Sequence, residues 1–401
     1  MTQTISPPDG LPDALSDGPS DNPTGPGHEV RVAGLRVRLV PMPWARSVGG
    51  CLAVGCGSRD DAPGTASTAH LAEHVRAIAG TGAARQTVPV FAQTDIARTL
   101  FRATAAPHGA ADLAARLVDV LGDATVDERL LESERMAVEL ETARMDSGPL
   151  LRAGGLFAAA ACDEPGMDAV ARTRRADIPA VTHREVADLV AWGYRPGRAV
   201  LSVAGPPEAL ETVAETVERR LHRLAEGTGP DAAESHRVLT RAPRMCLPAL
   251  DGLVAVTLTR PRQDEGLWAR ALLSDPGPVV AAGVRAGVPL VGRTTVENAH
   301  QAVDVLCWKP APRSRAALTE RLRAACAAAE VDQDVLTRVA REARQERAFA
   351  GFTPMARALR AALADSAVPA APAATSAPPT AAGALRLSVW HVAGGVPVEA
   401  G

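Results

Sequence analysis

The chain has 401 residues, of which 46% are hydrophobic, 22% charged and only 3% aromatic. That length exceeds what one compact core accommodates, so two domains of ordinary size are expected. A net charge of -3 gives no electrostatic handle for nucleic acid or an anionic membrane, and no stretch is long and apolar enough to span a bilayer.

Residues 1–27 are acidic and rich in Pro and Gly with no apolar run, which predicts a disordered tail rather than a signal peptide. Order is expected from residue 28. EVRVAGLRVRLVP and VGGCLAVGCGS alternate as strands do, with Leu35, Val37 and Leu39 on one face and Arg36 and Arg38 on the other. PGTASTAHLAEHVRAIAG has helical periodicity, opening near Pro63–Ser67 and stopping at Gly80. A strand-like piece, VPVFAQTDIARTLFRATA, follows. Helices are then expected at Ala110–Leu121 and Asp127–Met145, with two more helical stretches before a strand over 198–205 and a helix over Pro207–Glu226.

The segment 227–235, GTGPDAAES, is small, polar and turn-forming, and reads as a linker between a domain over 28–226 and another over 236–401. Beyond it the grammar restarts. A strand, GLVAVTLT, precedes a helix, EGLWARALL, and strands near Thr294–Asn298 and Val303–Trp308. Helices are expected across Ala316–Ala329, Gln333–Phe349 and Pro354–Ala364. Residues 366–384 form a semi-rigid Pro/Ala linker, and ALRLSVWHV a last strand returning to the second sheet. The repeated order of elements points to an internal duplication. Six scattered cysteines with no CxxC pair favour free, buried thiols in a reducing compartment, so the chain is expected in the cytoplasm.

His70 and His74 lie four apart on the predicted helix, and Glu73 shares their face. Two neutral imidazoles a turn apart can hold zinc, and a carboxylate beside them but off the metal can take a proton from its water. This is the H-x-x-E-H order, the reverse of H-E-x-x-H. On the later helix Leu130, Glu134, Ala137, Val138, Glu141 and Met145 fall along one continuous face, so two carboxylates occupy positions suited to the core. Glu128, Glu132, Arg135 and Glu139 make a solvated face instead. A buried carboxylate is costly without a cation, and an ion on His70 and His74 is the obvious one. G-x-S-x-G, G-x-G-x-x-G and G-x-x-x-x-G-K-[ST] are all absent, which argues against a serine hydrolase or a common nucleotide site.

The stretch GLRVRLVPMPWARSVGGCLAVGCGSRDDAPGTASTAHLAEHV resembles the opening of insulinase/pitrilysin-type peptidases and mitochondrial processing peptidases: a strand pair, G-S-R, a Gly before the helix, then H-x-x-E-H. SERMAVELE is similar to that family's E-R-x-V-V-x-x-E, and WGYRPGRAVLSVAGP to its Y-R-P-x-N…L-x-V-x-G. The resemblance implies an α+β fold of two related α/β units, each a mainly antiparallel sheet covered on one face by helices. It also implies a zinc endopeptidase with His70, His74 and Glu141 as ligands and Glu73 as general base. Glu134 would orient a histidine or water. Phe91, Ala92, Gln93 and Thr94 stand where the family has N-A-x-T, an edge strand along which a peptide such as a leader sequence would add.

Three departures stand out. Phe91 replaces the asparagine, and the His74–Glu141 segment is shorter than the family's. GVRAGVPLVGRTTVENA offers Arg285 and Arg293 where an arginine/tyrosine pair is expected, yet the chain's single tyrosine is Tyr194. By resemblance, a homologous subunit of a heterodimer is therefore expected to supply the pair. The competing expectation is a zinc-containing scaffold or peptide-binding subunit without turnover.

Overall fold

The computed structural model describes residues 3–5, 28–62, 64–78, 88–122, 125–146, 149–162, 167, 175–227, 247–261, 267–275, 277–297, 301–328, 330–350, 352–363, 385–394 and 396–400. Strands β1 (Gln3–Ile5), β2 (His28–Val32), β3 (Leu35–Pro41) and β4 (Val48–Val54) precede helix α1 (Thr68–Ile78). A hairpin of β5 (Phe91–Thr94) and β6 (Thr99–Ala105) leads to α2 (Ala110–Val118), α3 (Glu128–Asp146), α4 (Pro149–Ala161) and α5 (His183–Gly193). Then come β7 (Ala199–Gly205) and α6 (Pro207–Gly227). The second half contains β8 (Val254–Pro261), α7 (Leu267–Leu273), α8 (Pro278–Arg285), β9 (Leu290–Glu297) and β10 (Gln301–Trp308). It closes with α9 (Arg315–Ala328), α10 (Gln333–Ala350), α11 (Pro354–Leu363), β11 (Leu385–Ala393) and β12 (Val396–Glu399).

Among the described residues the strands form two six-stranded open sheets. In the first the order is β2-β3-β7-β4-β6-β5, antiparallel except for the β3–β7 pair. In the second it is β1-β11-β8-β10-β9, with β12 also on β11, all antiparallel. Each unit is thus the mixed, mainly antiparallel α/β layer that the sequence implied.

The cover of the sheets differs from the expected single layer of helices. β4 is buried along its whole length, because both its faces are packed. Leu52 and Val54 join a core with Leu71 and Val75 of α1, Leu113 and Leu117 of α2, and Val213 and Val217 of α6. Cys51 and Ala53 point the other way, onto Ala358 and Ala362 of α11. A Cβ at Gly49 would collide with the backbone of Met355, and one at Gly50 with the side chains of Leu113 and Leu117. The Gly49–Gly50 pair therefore admits a helix close to each face.

The second sheet is covered in the same two-sided way. Val254, Val256, Leu306 and Trp308 pack on α7, α8 and α9, whereas Ala255, Val303, Val305 and Cys307 pack on Ala153, Leu156 and Phe157 of α4. Each such aliphatic or aromatic burial contributes about 1.5–3 kcal/mol, which is ample reason for a sheet to recruit a helix on its second face. So α4, from the first half of the chain, covers the second sheet, and α11, from the second half, covers the first. A division at 227–235 separates the strands of the two sheets apart from β1, which joins the second sheet, and it does not separate these two helices.

Within the stretch expected to be disordered, Gln3–Ile5 pair antiparallel with Leu385–Leu387. A free strand edge recruits backbone donors and acceptors without requiring an apolar run. The remainder of 1–27, residues 228–235 and the 366–384 linker lie outside the described residues, as do residues 79–87 between α1 and β5. Besides β1, two further elements, α8 and β12, go beyond the sequence reading. PVVAAGVR spans only about two turns, and VPVE is a four-residue strand with Pro, so neither carries a period.

Candidate metal centre

The start of α1 is fixed from both sides. Ser58 N donates to Asp95 O at 3.0 Å and Arg59 N to Ile96 O at 2.9 Å, seating the G-S-R segment on the β5–β6 turn. A Cβ on Gly57 would lie 2.5 Å from Arg98 N and Asp95 O, so only glycine fits there. The buried carboxylate of Asp61 accepts from Ser67 N at 2.9 Å and Ala69 N at 2.7 Å, capping the helix. Ser67 holds φ 86, a conformation a serine keeps only where its surroundings dictate it. From this clamp α1 buries Ala69, Leu71, Ala72 and Val75 and turns His70 and His74 toward α3.

On α3 the core-facing arc is Leu131, Val138 and Thr142, while Leu130 and Ala137 are half-buried. Glu134 and Glu141 lie on the flank facing α1 rather than in the core, and the Glu141 side chain is 50% exposed. The side chain of Met145 lies outside the described residues. Of the expected solvated face, Glu128 and Glu132 are exposed, but Arg135 is half-buried and donates to Ile178 O at 2.7 Å.

The two helices bring four of the candidate residues together. His70 Nε2 is 3.3 Å from Glu141 Oε2, and His74 Nε2 is 3.6 Å from the same oxygen. Ligand atoms of His70, His74 and Glu141 all lie within 4.8 Å of one another. Bonds of about 2.0–2.2 Å in tetrahedral geometry place neighbouring ligand atoms about 3.3–3.6 Å apart, so the donor set fits a zinc-sized ion. Glu134 Oε2 sits 3.0 Å from His74 Nδ1, which leaves Nε2 facing Glu141. That pairing is the one an imidazole ligand needs on its second nitrogen.

Glu73 stands apart from this set. It is buried, and its Oε2 accepts a 2.6 Å hydrogen bond from Thr94 Oγ1 of β5. Burial raises its pKa, opposed by the Thr94 hydrogen bond and by His74. The His70 pKa is pushed down to about 4, chiefly by burial and then by His74 beside it, with Glu141 pulling the other way. Its imidazole is therefore neutral at ordinary pH, the form that ligates metal.

A stability prediction follows for the metal-free protein. The unfolded chain protonates His70 near 6.5, above the folded value, so its contribution is fully present above about pH 6.5 and is lost as pH falls toward about 4. Thermal unfolding of chelator-treated protein should show Tm declining through that window. A His70→Gln variant should show a flatter decline; an identical slope would contradict the assignment.

Beside the cluster lies a cleft of about 680 Å³, lined by His70, Glu73 and Glu141 on one side. Its other wall is Arg152 of α4 and Thr295–Glu297 of β9, so the second sheet of the same chain faces the cluster. β5 is the outer strand of the first sheet and, among the described residues, pairs only with β6. Ala92, Gln93 and Thr94 line the cleft, whereas Phe91 is 68% exposed and does not. Arg285 and Arg293 are exposed and lie off the cleft wall. Tyr194 is buried in the first core, its ring edge-on to Phe101 at 6.1 Å.

Solved structures of similar architecture exist. The chain is similar to a protease from Helicobacter pylori at 16% identity, over 84% of this chain and 90% of that one, with a TM-score of 0.63. It is similar to a peptidase M16 inactive domain from Pseudomonas fluorescens at 13% identity, over 85% and 91% of the two chains, with a TM-score of 0.57. It is also similar to pitrilysin at 15% identity, over 81% of this chain and 37% of that one, with a TM-score of 0.52. The fold is the insulinase-type fold of M16 peptidases. No protein-family profile matches the sequence, and no curated protein matches it.

An M16-type fold is shared here by a protease and by an inactive domain, so the side chains must carry the functional argument. Several of them escape sequence reasoning. Arg152, Thr295 and Glu297 reach the cleft through packing between distant segments, and none sits in a pattern that marks it. Thr94 was singled out only for its strand, not for its contact with Glu73.

Proposed function

We propose that this chain is a zinc-dependent endopeptidase subunit acting on extended peptides, with His70, His74 and Glu141 holding the ion. The observation that carries the reading is the convergence of those ligand atoms within 4.8 Å, beside a buried carboxylate, Glu73, that takes no part in the set. Zinc held there supplies a Lewis acid that polarises a carbonyl and makes water more acidic. Glu73 takes one proton from the attacking water and delivers it to the leaving amine as the C–N bond breaks and the new C–O bond remains. The open edge of β5 holds the peptide as an added strand, which suits an unfolded or leader segment.

The same reading includes a homologous partner subunit. Negative charge on the tetrahedral intermediate is stabilised by donors aimed at it. The described cleft wall provides Arg98 and Arg152 but no tyrosine. Met136 and Leu140 lie exposed on the outer face of α3, 66% and 56% respectively, an apolar surface that supports a covering chain. The isolated chain is expected to be weakly active, with activity appearing on mixing with the partner. Size-exclusion with light scattering and a peptide-cleavage assay check this; full-rate cleavage by the purified chain alone would contradict it.

A second reading, a zinc-containing scaffold or peptide-binding subunit without turnover, is favoured by Phe91 at the asparagine position and by the likeness to an inactive domain. The intact ligand set together with Glu73 weighs for catalysis. Among the described residues no helix is long and apolar enough to cross a membrane, and the five described cysteines are buried thiols outside any disulfide. We place the chain in the cytoplasm on the chemistry of those thiols.

A further inference from the structure

Thr94 ends β5, and its hydroxyl donates to Glu73 Oε2 at 2.6 Å across the floor of the cleft. Its own position is set from behind. Thr94 pairs in register with Thr99 on β6, and the two hydroxyl oxygens lie 3.4 Å apart. Thr99 is fully buried and gives its proton to Cys56 O at 2.8 Å, so it forms a fixed backstop anchored in the first sheet. The carboxylate that does the proposed proton transfer is thus held by the same four-residue strand whose outer edge is open to a peptide.

We propose that Thr94 is a positioning residue that couples occupancy of the β5 edge to the orientation of Glu73. The inference rests on the general-base reading of Glu73. A four-residue strand paired on one side is among the least stable parts of a sheet, and an added strand supplies the missing backbone hydrogen bonds on the other. A peptide seated on β5 therefore stiffens Thr94, and Thr94 fixes one carboxylate oxygen, leaving the other for the proton. Substrate binding and base alignment become one event. A peptide that fails to pair along β5 meets a less well-aligned base.

Two variants and two readouts test this. Thr94→Val keeps shape and removes the donor; Thr94→Ser keeps the donor and trims a methyl group. With the zinc-loaded chain mixed with its homologous subunit and a single octapeptide substrate, Thr94→Val is expected to lower kcat on the order of 10- to 100-fold with KM little changed, and Thr94→Ser to restore it. A rise in KM with kcat unchanged would make Thr94 a strand residue only and overturn the proposal. The second readout needs no turnover: a double-mutant cycle on Tm of the metal-free protein. Thr94→Val should lower Tm by several degrees beside Glu73 and far less in a Glu73→Ala background. Equal shifts in the two backgrounds would show that the contact does not hold Glu73, whatever the chain proves to catalyse.

Discussion

Glu73→Gln should leave the fold and the bound metal unchanged and lower peptide cleavage on the order of 10²- to 10⁴-fold or more, the usual loss for a missing general base. The amide has the shape of the carboxylate, and its oxygen can still accept from Thr94, which now holds Glu73 at 2.6 Å. The amide oxygen is too weak a base to take a proton from water. Glu73 lies outside the His70, His74 and Glu141 cluster, so metal content should not move. Circular dichroism, zinc analysis and a cleavage assay on the two proteins check all three points. An unchanged rate would remove Glu73 from the mechanism. If the unsubstituted chain with its partner also cleaves nothing, the scaffold reading takes its place.

The His70→Ala/His74→Ala double variant should lose its zinc altogether. Two of the three ligands are removed, and the remaining Glu141 carboxylate is half-exposed, with water competing for it. The fold should persist without metal, because the packed residues of α1 are Ala69, Leu71, Ala72 and Val75 rather than the histidines. The stabilisation that bound zinc confers should vanish with the ligands, since a ligand raises stability only in proportion to its affinity for the folded state. Zinc per chain, and Tm with and without chelator, are the measurements. Retention of one zinc per chain in the double variant would rule the site out.

Much of the fold was legible because period and burial coincide. The alternation of Leu35 and Val37 with Arg36 and Arg38 gives a strand with one face in the main core, and the helices of the first half follow their apolar spacing closely. What escaped was the exchange of α4 and α11 between the sheets. Only tertiary packing settles which sheet a helix covers, although the unbroken apolar run of VGGCLAV already marks a strand buried on both faces. The core side of α3 lies about one residue out of phase with the apolar spacing, since Leu131 and Thr142 are buried whereas Leu130 is only half-buried. Local helical spacing foretells that His70 and His74 share a face, and the family resemblance brought in Glu141. Nothing local foretells that Thr94 meets Glu73 across 21 residues, since that contact forms only when α1 packs beside β5, or that Arg152 and Thr295 wall the cleft, which requires the two sheets to be assembled.

The proposed chemistry requires an ion held between α1 and α3. Anomalous diffraction at the zinc edge, from crystals of the protein purified without chelator, tests that directly. One strong peak is expected, about 2.0–2.2 Å from a nitrogen of His70, Nε2 of His74 and an oxygen of Glu141, with Glu73 outside bonding distance. No peak at that position after zinc is supplied, or a peak ligated by Glu73 in place of one of the three, would contradict it.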